Sequence, residues 1–197
     1  MTTSHLTKPA KDAGKSLVTA NPLSPQCVVV ADLSALQPRP ASCGCTGKWL
    51  VIADRTAIAK IIPHALDMCL LDGVLQCDAQ HIRCVSRTHL DEQNPLRSAQ
   101  GLLVLCGIEY AAQAMAIHGG LNSQINERPR AGYLVSLRDV TFYRERLDTL
   151  SDELIIEAEK IMGDEARVIY QFSLQSAGKD ILGGRATVVL DAEEVTA

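Results

Sequence analysis

The segment Leu102–His118 constrains this chain more than any other. LLVLCGIEYAAQAMAIH is rich in Leu, Ala, Met and Ile and contains no proline. Apolar residues surround it on every side, the pattern of a helix enclosed in a core. Its strongly polar interior residues are Glu109 and Gln113, four apart and therefore on one helix face. His118, nine residues beyond Glu109, falls nearly opposite, and Gly119-Gly120 is expected to end the helix. The length approaches that of a membrane span, but an acid and an amide in the middle argue against one. Burial favours the neutral form of a carboxyl group. Glu109 therefore reads equally as a proton donor at neutral pH or as a structural acid bonded to the backbone or to Gln113.

The elements around this segment follow from shorter signals. DRTAIAKII, with a cap candidate at Asp54 and a stop at Pro63, predicts a short helix. Met68 to Cys77 reads as a strand, Asp78-Ala79 as a turn, and His81 to Arg87 as a second strand. Thr88 to Gly101 is polar, contains Asn94-Pro95 and reads as a loop. Gly132 to Tyr143 reads as a strand. Val168, Tyr170, Phe172 and Leu174 alternate with polar or smaller neighbours, and Ala186, Val188 and Leu190 continue the pattern. In Ser151 to Met162 the apolar spacing favours a helix. One apolar helix followed by antiparallel strands predicts an α+β fold, a curved sheet wrapped around that helix.

Composition narrows the function classes. The chain has 197 residues, 47% of them hydrophobic, and a formal net charge of −4. That balance argues against a nucleic-acid binder, as does an aromatic content of only 4%. The seven cysteines are odd in number, and the last four lie in apolar surroundings, as reduced thiols of a cytoplasmic protein do. Cys43-Gly-Cys45 lacks the second pair that a structural zinc needs, so no metal is expected. No secretory h-region precedes the domain. Residues 1–47 hold five of the eight prolines and carry a net +2, whereas residues 48–197 carry −6. The first segment reads as a poorly ordered extension with one short strand at Cys27–Val30, the second as the folded domain.

Histidines supply the remaining candidates. His89 opens the polar loop before the apolar segment and reads either as an acid/base partner of Glu109 or as a solvated surface histidine. His64 is placed to pack or cap after Pro63, and His81 sits exposed at a turn. His118 reads as a cation complementing the helix dipole. Asp72, beside Gly73, suits a turn, a bulge or a backbone hydrogen bond. Arg138 and Asp139 suit a local or cross-strand pair. No Walker loop, Rossmann fingerprint, HExxH or GxSxG is present, which removes most nucleotide enzymes and the common serine hydrolases.

Three strings together resemble a known family. Ile62-Pro63-His64, then Met68-Cys69-Leu70-Leu71-Asp72, is similar to the entry of hotdog-fold 3-hydroxyacyl-[acyl-carrier-protein] dehydratases. His89 followed by Asn94-Pro95-Leu96 resembles their catalytic-histidine loop. Gly107-Ile108-Glu109-Tyr110-Ala111-Ala112-Gln113-Ala114-Met115-Ala116 resembles their central helix, with the catalytic acid and a following Gln. The helix string, the His-Gly after it and Gly132 to Asp139 look most like the divergent dehydratase-like branch of aryl polyene gene clusters. The likeness spans about residues 50–191 and turns Ser151 to Met162 into a strand. Leu103-Val104 stand where the ordinary enzymes have Pro-Gly, and twenty residues separate His89 from Glu109.

The resemblance implies a hotdog fold whose sheets pair into homodimers or heterodimers, with catalytic residues contributed across subunits. It implies dehydration of a 3-hydroxyacyl thioester on acyl-carrier protein to the trans-2-enoyl thioester, without metal or redox cofactor. His89 would be the base and Glu109 the acid, supported by Gln113, His64 and Asn94. Backbone amides of Val104, Leu105 and Cys106 would hold the developing oxyanion. A non-catalytic hotdog partner subunit, favoured by the missing Pro-Gly, and an acyl thioesterase are the alternatives.

Overall fold

A computed structural model describes residues 50–64, 66–123, 132–164 and 166–190. The extension read at 1–47, its short strand, and Cys43 and Cys45 lie outside the described residues. The elements run β1 (Ala53–Asp54), α1 (Arg55–Ile58), β2 (Gly73–Cys77), β3 (His81–Ser86), α2 (Gly107–Asn122), β4 (Gly132–Phe142), β5 (Leu154–Gly163), β6 (Arg167–Ser176) and β7 (Lys179–Leu190). The strands form one antiparallel sheet in the order β1-β2-β3-β5-β6-β7-β4. It curves around α2, the hotdog architecture.

Alternation along the strands makes the core. Val168, Tyr170, Phe172 and Leu174 of β6 are buried, as are Leu154, Ile156 and Ala158 of β5. They pack with Ile82 and Cys84 of β3 and with Ala111, Ala114 and Ile117 of α2. The helical spacing in Ser151 to Met162 is overridden by pairing: β5 lies between β3 and β6, with Ile156 opposite both Cys84 and Leu174. A two-residue period was present in Leu154, Ile156 and Ala158, masked by apolar Ile155 on the outer face.

Two expectations for the apolar segment change. Its helix begins at Gly107, because Leu102 to Cys106 first makes a bridge with the chain after β4 and a 3-10 turn. A Cβ at Gly107 would collide with Leu182 and lie 2.9 Å from Leu174, so glycine lets the helix start press directly onto the sheet. Nor does Gly119-Gly120 end the helix, which runs to Asn122. A Cβ at Gly120 would strike Ile61. The Asn122 amide donates to the His118 carbonyl, and the Ser123 hydroxyl to the Gly120 carbonyl. These tertiary and capping contacts replace the stop that the glycines suggest. The burial is also one-sided, with Ala116 and Gly119 facing out.

The strand β4 is the exception to good burial. Among the described residues it is an edge strand, paired only with β7. Leu134, Val135, Leu137 and Phe142 on it are all exposed.

Candidate functional site

Glu109 occupies the first turn of α2, three residues beyond the expected amide trio. Its neighbour is His64: the His64 Nε2 lies 3.2 Å from Glu109 Oε1. The two side chains are 31% and 33% exposed, so the pair faces the surface and is not sealed in the core. Gln113, one turn on, donates from Nε2 to the same Glu109 oxygen at 3.1 Å. Glu109 is thus oriented by two groups and lacks the all-apolar surroundings that its segment suggested.

Gln113 also sets the segment that carries His64. Its Nε2 donates to the Met68 carbonyl at 2.8 Å and its Oε1 accepts from the Leu70 amide at 2.9 Å. The side chain is fully buried and all its polar atoms are used, which fixes which end of the amide is oxygen. The Leu70 carbonyl accepts from the Ser86 and Thr88 hydroxyls at 2.6 and 2.8 Å. Asp72 ends this string by accepting from the Arg87 amide at 2.6 Å and facing Arg55 at 3.5 Å. The backbone hydrogen bond expected of Asp72 is therefore made. Leu66, two residues past His64, has a left-handed backbone with φ 55°. For a leucine that conformation costs about 1 kcal/mol.

His89 does not meet Glu109 within the chain. It sits on the 3-10 turn Thr88–Leu90 and is fully enclosed. Neither ring nitrogen makes a well-formed hydrogen bond among the described residues, and the Asp152 main chain is the polar group that acts on the ring. Burial lowers its affinity for a proton, with the Asp152 main chain opposing. The loop that follows folds back on this turn, Asn94 donating to the Thr88 carbonyl and Arg97 to the His89 carbonyl.

The other expected residues fall into structural places. Asn94 donates to the Thr88 carbonyl and to the Tyr110 hydroxyl, both at 2.9 Å, and ties the loop to α2. The Val104 amide is bonded to the Glu145 carbonyl and the Cys106 amide to the Leu103 carbonyl, so neither is available to an oxyanion. Leu105 between them is 58% exposed. His118 is buried. Its Nε2 faces the Asp78 carbonyl at 3.0 Å and its Nδ1 the Tyr170 hydroxyl at 2.9 Å. A carbonyl only accepts, so Nε2 bears the proton and Nδ1 accepts from Tyr170. Burial keeps this histidine neutral, which corrects its reading as a dipole cation. His81, half exposed, stands between Asp78 and Glu159. Asp139 pairs with Arg185 across to β7, not with Arg138.

One cluster gave no sequence signal. Asp148, whose side chain is 3% exposed, binds Arg97 at 2.8 Å and Arg146 at 2.7 Å. Hydrogen bonds from Arg146 hold its carboxyl down to about 2, helped by the Leu102 amide and opposed by burial. Arg97 and Asp148 are fifty-one residues apart, and only folding joins them.

Among the described residues no group of three or more His, Cys, Asp or Glu side chains is placed to hold a metal ion. Two surface hollows, one lined by Gln76, His81 and Glu157 and one by Thr141, Tyr143 and Asp180, include neither His64 nor Glu109.

A family model described as ApeP dehydratase matches residues 56–196. Among solved structures, the dehydratase heterocomplex ApeI:P from Xenorhabdus doucetiae superposes with a TM-score of 0.61 at 22% identity, covering 68% of this chain and 90% of that one. A mutant thioesterase from Pseudomonas aeruginosa gives 0.53 at 14% identity, covering 72% and 96%. At these identities the likenesses establish the fold alone. No protein of curated function matches the chain.

Proposed function

This chain belongs to the ApeP-like dehydratase family, and on that premise we propose that it dehydrates a 3-hydroxyacyl thioester on acyl-carrier protein to the trans-2-enoyl thioester, with His64 and Glu109 as its proton-transfer pair. The observation that carries this reading is the 3.2 Å contact between His64 Nε2 and Glu109 Oε1 at an open surface. A histidine and a carboxyl within reach of one substrate are the parts an α,β-elimination needs.

The elimination requires the form of the pair in which His64 is neutral and Glu109 carries a proton. Neutral His64 takes the proton from the carbon next to the thioester carbonyl. Glu109 gives its proton to the departing 3-hydroxyl, which leaves as water. The pair is then imidazolium and carboxylate, and one proton passing from His64 to Glu109 restores it. The substrate has lost H and OH, and the protein is unchanged. Gln113 holds Glu109 in place through this exchange. His89 takes no part. No metal or redox cofactor enters.

A second hotdog subunit completes the site. The exposed apolar side chains of β4 and its edge, unpaired among the described residues, are a surface that strand pairing would cover. The ApeI:P structure is of a heterocomplex, which supports a non-catalytic partner role as the second reading. Free Cys69, Cys84 and Cys106 fit a reducing cytoplasm.

The test is intact-mass analysis of 3-hydroxyacyl carrier protein after incubation with the chain, His64→Ala and His89→Ala, alone and with a co-expressed hotdog partner. Loss of one water with wild type and His89→Ala, but not with His64→Ala, is the expected result. Loss of water with His64→Ala but not with His89→Ala returns the base to His89. Release of free acid identifies a thioesterase. Turnover by a partner that is indifferent to His64→Ala in this chain establishes the non-catalytic subunit.

A further inference from the structure

The chain leaving β4 returns to the approach of the catalytic helix. Val104 N–H donates to the Glu145 carbonyl at 2.9 Å, and Leu147 N–H to the Leu102 carbonyl at 2.8 Å. Leu102 and Leu147 are completely buried. Side chains lock this contact. Arg146 grips both oxygens of Asp148, Nε on Oδ1 at 2.9 Å and a terminal nitrogen on Oδ2 at 2.7 Å. Arg97 adds a bond to Oδ2 at 2.8 Å and reaches the His89 carbonyl at 3.4 Å. The cluster has a matching backbone feature in Gly101. Its φ is +93°, and a Cβ there would run into the Arg146 guanidinium and come within 2.6 Å of Asp148 Oδ2.

We propose that Asp148 is a positioning residue for the His64–Glu109 pair: through Arg97 and Arg146 it fixes the approach from Gly101 to Val104, which sets the first turn of α2 and so aims Glu109 at His64. Glu109 is only five residues past Val104, with a 3-10 turn and the first helical residues between. On its other side the helix start is pressed onto Leu182 and Leu174 at Gly107. The clamp and the sheet therefore hold this turn from two directions. A carboxylate bridged by two guanidiniums is weak evidence for stability, since a buried ion cluster offsets its own desolvation only in part. What a bidentate Arg–carboxylate pair supplies is fixed geometry. A displacement of about 1 Å at a reacting group can slow a reaction on the order of 100-fold.

This rests on the proposed dehydratase reading for its kinetic arm, and a spectroscopic arm stands without it. Asp148→Asn in the full chain, with its hotdog partner where turnover needs one, is expected to lower kcat roughly 10- to 100-fold with KM changed less than about twofold. Asp148→Glu is expected to recover part of kcat. The His64 Cε1–H resonance should move with Asp148→Asn toward its position in Glu109→Gln, and Asp148→Asn should move it no further in a Glu109→Gln background. Arg83→Gln, which breaks an exposed pair with Glu157, is the control for loss of any ion pair. Should Asp148→Asn fail to fold, Arg97→Gln removes one cation and leaves the bidentate grip for the same measurements. A folded variant with kcat and the His64 resonance unchanged overturns the proposal. If wild type itself shows no turnover, the dehydratase reading falls, and the resonance alone decides the role of Asp148.

Discussion

His64 and His89 lie twenty-five residues apart and meet opposite environments. His64 is a third exposed and touches a carboxyl; His89 is sealed, and neither of its ring nitrogens makes a well-formed hydrogen bond among the described residues. A buried imidazole whose polar contact is limited to the Asp152 main chain gains little over an isosteric apolar group. His89→Leu should therefore leave thermal stability at pH 7 equal or higher, within about 1 kcal/mol. It should also blunt acid sensitivity. Burial lowers the proton affinity of both His89 and His118 in the folded chain. Below the ordinary histidine value of about 6.5 the unfolded chain takes up protons that the native one refuses. Stability is full above that pH and falls as the pH drops through it. Melting curves at pH 7 and pH 5 should show a smaller loss in His89→Leu than in wild type, and an equal loss would contradict the assignment. Glu109 and Gln113 were legible in the sequence because an i,i+4 pair in an apolar helix needs only helical geometry. His64 as the partner was not, since the Gln113 anchors that place it on α2 come from forty-three and forty-five residues away.

The apolar segment and β5 show where local pattern yields to packing. Helix α2 was foreseen, but its start and end are set by a bridge to Arg146 and by Ile61 and Asn122. At Gly107 the sheet leaves no room for a Cβ. Gly107→Ala should cost about 1–3 kcal/mol by overpacking despite the better helix propensity of alanine. Urea unfolding checks the sign: a gain in stability would mean that Leu182 yields easily. Gln113→Leu should be costlier in function than in folding. It strands the Leu70 amide and the Met68 carbonyl, a loss of about 1–3 kcal/mol for each buried group, and it frees the loop that carries His64. Turnover below a tenth of wild type in a folded variant is the expected reading of the mass assay.

The exposed edge of β4 is a feature of the whole molecule, and the proposed subunit pairing belongs to that scale. An edge strand bearing Leu134, Val135 and Leu137 in the open invites another sheet. A charge there should block it. Val135→Lys is expected to shift the protein to the monomer in light scattering after size exclusion while leaving its far-UV spectrum unchanged. An unaltered assembly would move the interface elsewhere. Asp148 ties the chain leaving this edge to the approach of α2. Its carboxyl is held down to about 2 by Arg146, the Leu102 amide and Arg97. The stabilisation is present above the unfolded carboxyl value near 4 and is lost as pH falls toward 2. Acid unfolding of Asp148→Asn should accordingly be shallower than that of wild type over that window.

The fold class, the long helix, most strands and the carboxyl–amide pair on α2 were already written in local periodicity, because a helix or strand face depends on neighbours a few residues away. The helical period of residues 151–162 misled for the same reason, as it carries no information about the two strands that flank β5. Which histidine meets Glu109, which amides remain free, and the Arg97–Asp148–Arg146 clamp depend on contacts between distant segments. Such contacts exist only once the sheet has closed around α2, when the burial of one histidine and the exposure of another are settled together.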